Sequence, residues 1–214
     1  MKKFLNILLG IVSLFLIVAG VVAFMFVQDM KPDKEKEAEI RVLAEDYLQD
    51  HFNGDFEIYD VLFDNMGNFG FEYAAKARNK NNHVDFLIYM DDETKQLVDT
   101  YISKKWAKEV ETLIRPIITE KLGTETDLYV YFDDEIGKNL GLNPLAESSY
   151  KEFDVKPTIR MTIPRKKKDE DEMYLNALIS DLKEKEILKH GTVNVGYITT
   201  TGEILEDTEW SKEF

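Results

Sequence analysis

Hydrophobic and polar positions alternate along this chain in blocks of distinct period. Residues 4–27, FLNILLGIVSLFLIVAGVVAFMFV, hold no charge, and Asn6 and Ser13 are their only strongly polar side chains. As a helix the run would be roughly 36 Å long, enough to cross a hydrocarbon core of ~30 Å. We therefore expect a transmembrane signal anchor at 4–27, a cytoplasmic tail at 1–3 and a short tether at 28–32. Lys2-Lys3 and Val21-Val22-Ala23 also permit a cleaved signal peptide. The run continues through Phe24–Val27, longer than the apolar stretch of about 7–15 residues in such peptides, and this favours the anchor. Flanking positive charges are nearly balanced, with Lys2 and Lys3 before the run and Lys31, Lys34 and Lys36 after it. The very short tail is expected to stay in the cytoplasm, with the rest of the chain outside.

Beyond the tether, Ile40, Leu43, Ala44, Tyr47, Leu48, His51 and Phe52 recur at helical spacing, and Asn53-Gly54 stops them. Alternation then predicts strands over 56–64, 69–77, 84–90 and 97–102, separated by polar turns. A second helix carries Trp106, Val110, Leu113, Ile114, Ile117, Ile118 and Leu122, ends at Gly123, and is expected to kink or split at Pro116. A strand follows at 128–132, then an irregular stretch at 136–153. The strand at 155–163 contains Pro157, which predicts a sheet edge. A charged loop, RKKKDEDE at 165–172, precedes a third helix using Leu175, Leu178, Ile179, Leu182, Ile187 and Leu188. Residues 192–200 and 204–210 close the chain as strands joined by a Thr201-Gly202 turn. The expected class is α+β: two antiparallel-sheet units, at 33–103 and 104–214, each with helices on one face.

The segments Leu97–Trp106 and Leu205–Phe214 align without a gap, identical at five of ten positions. This suggests two related halves, each segment reading as strand, turn and strand. The run Tyr197-Ile-Thr-Thr-Thr-Gly-Glu-Ile-Leu-Glu-Asp207 resembles the closing hairpin of PepSY-like domains. Tyr89–Asp99 is a poorer copy, with Lys95 in place of the turn glycine. The helix-then-meander order of 38–102 is similar to PepSY-like and cystatin-like folds, and the whole chain resembles small single-pass proteins of Gram-positive bacteria. The resemblance implies a noncatalytic module of a kind that can restrain peptidases, and it brings no catalytic residues.

Composition narrows the chemistry. The chain has 214 residues, no cysteine and a net charge of −14. No disulfide, thiolate metal site or cysteine nucleophile is available. All 41 acidic residues and 25 of the 27 basic ones follow residue 28, so the part beyond the anchor carries −16. Such a domain is a poor nucleic-acid binder and is expected to stand off anionic lipid. His51, His83 and His190 lie at no metal-ligand spacing, and no phosphate-binding or nucleophile-elbow motif is present. No catalytic, cofactor-binding or metal residue is assigned. Asp91-Asp92-Glu93, Asp133-Asp134-Glu135 and Asp169–Glu172 read as solvated turns and a helix start rather than a calcium loop. The expected function is a noncatalytic, membrane-tethered, extracytoplasmic binding or regulatory module. Its partners are the bilayer, through residues 4–27, and a protein, either a peptidase it restrains or a membrane complex it joins. The alternative is an envelope-acting enzyme that sets one carboxylate of Asp91–Glu93 against one of Asp133–Glu135 across a glycan.

Overall fold

The computed structural model describes residues 2–122, 126–146, 148–199, 201–205 and 209–214, with the side chains of 2–9, 11 and 29 outside the description. Helix α1 spans Lys2–Asp29. Its described large apolar side chains between 12 and 27 are all exposed, as in Phe15 at 71%. That stretch is about 24 Å of helix, less than the ~30 Å of a hydrocarbon core. Among the described residues no helix is long and apolar enough to cross a membrane. The expected span over 4–27 therefore lies partly outside the described side chains.

Helix α2, Lys34–His51, starts where the Asp33 carboxylate accepts the Glu35 N–H at 2.8 Å, a side-chain cap for a free helical donor. Strands β1 (Phe56–Phe63), β2 (Tyr73–Asn79), β3 (Val84–Met90) and β4 (Leu97–Asp99) form an antiparallel meander in chain order. Ala75, Ala77, Phe86 and Ile88 share one face and bury against α2 and α3, the latter spanning Tyr101–Leu122. Ala74, Tyr89 and Val98 occupy the other face, beneath Phe71.

The second sheet comprises β5 (Asp127–Tyr131), β6 (Thr158–Ile163), β7 (Thr192–Tyr197) and β8 (Trp210–Glu213). Helix α4 (Ile136–Asn139) and a 3₁₀ turn (Tyr150–Glu152) punctuate the expected irregular stretch. Helix α5, Asp171–Glu184, crosses from β6 to β7. This crossover makes β6 and β7 parallel, while β5–β6 and β7–β8 are antiparallel. The sheet is thus mixed, not antiparallel as expected; a strand–helix–strand connection returns the chain in the same direction.

Other expectations change for local reasons. Phe69 and Phe71 alternate with polar residues but precede β2 in a loop. Pro157 sits one residue before β6, which is an inner strand. Its carbonyl accepts the Thr192 N–H, so its missing donor costs the ladder nothing. Gly191 lies opposite, where an added Cβ would meet the Pro157 oxygen at 2.9 Å. Helix α3 passes through Pro116 as one element. Helix α5 stops at Glu184; Ile187 and Leu188 bury just beyond it, their N–H groups donating to the Leu182 carbonyl. The expected stop at Gly123 lies outside the described residues.

The matching ten-residue segments do not adopt one structure. Tyr101–Trp106 is the start of α3, whereas Trp210–Glu213 is β8. What the halves share is the hairpin before the match: Tyr89 pairs with Val98, and Leu205 N–H donates to the Tyr197 carbonyl with an Ile198–Ile204 bridge. Lys95 and Gly202 hold positive φ in these two turns. One core runs through both sheets. Tyr101 packs with Phe52, Phe56 and Phe86, and one helical turn later Trp106 packs with Phe132, Tyr150 and Phe153.

Candidate functional site

The two acidic turns were expected on separate solvated surfaces; the fold brings them together. Asp91 follows β3 and organises the next turn by accepting the N–H groups of Glu93 and Thr94. Glu135 precedes α4. Lys138, the third residue of that helix, places its Nζ 2.9 Å from Asp91 Oδ2 and 3.0 Å from Glu135 Oε2. Tyr89 donates to Glu135 at 3.3 Å. Asp134 accepts from Lys104 at 2.6 Å and from Ser103 at 3.4 Å. The Thr94 N–H and then Lys138 hold the Asp91 carboxyl well below the usual carboxylate range. Burial, then Glu135, pushes the Tyr89 hydroxyl up. This arrangement is an interlock between the first sheet and the second half. Lys138 stands between the Asp91 and Glu135 carboxylates and engages both.

Beside it lies a cavity of about 220 Å³ lined by Tyr47, His51, Asp99 and Lys138 among others. Tyr47 donates to Asp99 Oδ2 at 2.8 Å, and the Tyr101 N–H donates to Oδ1 at 2.9 Å. Burial pushes Asp99 up despite both donors. His51 is exposed and stacks on Tyr47 at 4.1 Å. The His83 carbonyl accepts from Lys108, and His190 lies 3.7 Å from Asp154. The three histidines do not converge, and among the described residues no three His, Asp or Glu side chains are placed to hold a metal ion.

The charged run 165–172 is not wholly solvated. Asp171 is 0% exposed and takes a two-pronged contact from Arg165, both arms at 2.7 Å, plus the Lys168 N–H at 2.9 Å. Burial alone would raise its pKa; Arg165 and the backbone donor more than offset that, so the carboxyl lies below its usual range. The Tyr197 hydroxyl is buried beside this pair without a hydrogen bond of standard geometry. In sequence the pair is hidden, because its six neighbours in the run 165–172 are all charged surface residues.

A second exposed surface, with its side chains in regular rows, is the outer face of the second sheet. Inward residues Leu128, Val130, Ile159, Met161, Val193 and Val195 meet α3 and α5. The opposite face aligns Tyr129, Arg160, Asn194 and Ser211 in one row across all four strands. The next row is Tyr131, Thr158, Thr192 and Glu213. Tyr129 and Tyr131 are 54% and 47% exposed with ring centres 6.4 Å apart. Their alternation with Leu128 and Val130 was the available signal, and it fixes them to the face away from the core.

No family model matches the chain, and no curated protein matches it. Neither comparison bears on the PepSY-like and cystatin-like resemblance of the hairpins and of the 38–102 order. The chain is similar to a solved structure, a crystal structure of a DUF5037 family protein from Ruminococcus gnavus. The identity is 15%, 76% of each chain is covered, and the TM-score is 0.40.

Proposed function

We propose that the chain is a noncatalytic binding module tethered to a membrane by α1, with its sheets outside and a protein partner on the open face of the second sheet. The observation that carries this reading is α1 itself. Its large apolar side chains from 12 to 27 are exposed on every side, while the cores of the sheets are closed without them. Water does not tolerate such a surface, at ~25 cal/mol per Å² of apolar area. The sequence carries the same run back to residue 4. A binding role is supported by the two exposed tyrosines beside Arg160, residue types that anchor protein interfaces. The paired-carboxylate alternative gains proximity from the meeting of the acidic turns. It loses the required chemistry, because Lys138 and three further hydrogen bonds already engage Asp91 and Glu135.

Two cellular measurements test this. Protease added to intact cells is expected to remove the folded part; protection until lysis would overturn the orientation. A photo-crosslinking residue at Tyr129 is expected to capture one protein that the same probe at Lys151 does not, and Tyr131→Ser is expected to abolish that capture. Identical, abundance-ranked captures at both positions would overturn the assigned face.

A further inference from the structure

The chain leaves α1 against one particular loop. Met30 is the first residue past the helix, and its carbonyl accepts Asn65 Nδ2 at 3.3 Å. Three residues on, the Asp33 N–H donates to the Tyr73 hydroxyl at 2.8 Å, and Lys36 pairs with Glu72 at 2.8 Å. The tether is therefore fastened to both ends of the β1–β2 connection. The −16 domain keeps that connection free of charge: residues 65–71 read Asn-Met-Gly-Asn-Phe-Gly-Phe.

The loop is built, not slack. The Asp64 and Glu72 backbones close its neck at 2.8 Å. The Asp64 carboxylate, nearly buried, accepts the N–H groups of Met66 and Phe69 and the Asn68 amide. Gly67 takes φ +69°, a turn that a Cβ would strain. Phe71 roots the loop on Tyr89, with ring centres 4.4 Å apart. Phe69 stacks on Phe71, yet is 48% exposed, and Met66 is 79% exposed. An ordered loop thus holds two apolar side chains in the open, at the level where α1 ends.

We infer that the 65–71 loop is a second membrane contact, seated in the lipid interface beside the exit of α1. The inference rests on the anchor reading above. The chemistry favours lipid: aromatic and thioether side chains partition into the headgroup boundary, and an uncharged loop brings no ion to desolvate. The loop is thereby the exception to the stand-off that the acidic charge of the domain dictates. With α1 it gives two points of attachment, fixing which way the sheets face.

The absence of cysteine makes the test direct. Single substitutions Met66→Cys, Phe69→Cys, Asn81→Cys at the far end of β2, and Val18→Cys within α1 each carry one environment-sensitive fluorophore. The labelled full chains are reconstituted in phosphatidylcholine–phosphatidylglycerol nanodiscs with or without doxyl-labelled phosphatidylcholine. Positions 18, 66 and 69 are expected to lose fluorescence to the lipid-borne quencher while position 81 does not. Quenching at 18 with none at 66 and 69 would overturn the loop contact and leave the anchor standing. No quenching at 18 would overturn the anchor, and the loop contact with it. All four labelled positions are exposed, and circular dichroism of each variant confirms the fold.

Discussion

The two sheets solve the same burial problem differently. In the first, both faces are occupied: α2 and α3 cover Ala75, Ala77, Phe86 and Ile88, while the 65–71 loop lays Phe71 over Ala74, Tyr89 and Val98. In the second, α3 and α5 cover one face and the other is left to Tyr129, Tyr131, Arg160 and Asn194. A sheet covered on both sides has little surface to offer, and here it supports the attachment to α1. A sheet covered on one side keeps a rigid platform whose outer residues are free to vary without cost to the core. The contrast lies in side-chain coverage, since each sheet has four strands and shares α3.

The strongest way to break this comparison is to ask whether the sheets are separable. Trp106 is fully buried where the two aromatic clusters adjoin. Trp106→Ala is expected to cost about 3–5 kcal/mol. Urea unfolding of the detergent-solubilised chain, followed by circular dichroism, should then show one transition shifted as a whole. Two transitions, one unmoved, would mean that the sheets are independent bodies.

A second measurement sharpens the account of the covered side of the second sheet. Asp171→Asn leaves Arg165 without its buried partner and is expected to cost about 3 kcal/mol at neutral pH. The sign with acid is fixed by direction. Asp171 and Asp91 are both held below their ordinary value of 3.8. Their contribution is thus present above that pH and is lost as pH falls through their folded values. Acid titration of the wild type should show a loss below about pH 4, and Asp171→Asn should show a shallower one.

The smallest expected effect concerns the open face. Tyr129→Ser with Tyr131→Ser is expected to change stability by less than about 0.5 kcal/mol per site. Phe71→Ala, an equivalent loss on the covered face of the first sheet, should cost about 3 kcal/mol. Equal penalties in thermal unfolding would erase the distinction between the faces.

The elements were largely legible because each helix and most strands repeat apolar residues at the period of their own geometry. The errors have specific physical origins. Phe69 and Phe71 alternate like a strand, but only Phe71 turns inward onto the sheet, while Phe69 stacks on it and stays exposed. Tyr101–Trp106 and Glu209–Phe214 share their polar residues, but the first is followed by sixteen residues of helical spacing and the second lies along β7. Context overrides so short a match. The Lys138 interlock joins residues 47 positions apart, and no local pattern announces it. Arg165–Asp171 is local, but charge alone does not reveal that one carboxylate of four turns inward.

The order in which the strands close has a consequence for how the chain is made. The meander pairs only sequence neighbours and is complete once residue 99 has emerged from the ribosome. The second sheet must hold β5 and β6 waiting until α5 has been synthesised and β7 can dock alongside β6. Non-local, parallel closure of this kind is the slow part of assembly. During synthesis the early sheet, with α2 already packed on it, presents the start of α3 as a seed. The apolar strands of the second sheet then collect onto that seed, and their time unprotected is set by how fast some thirty further residues are translated.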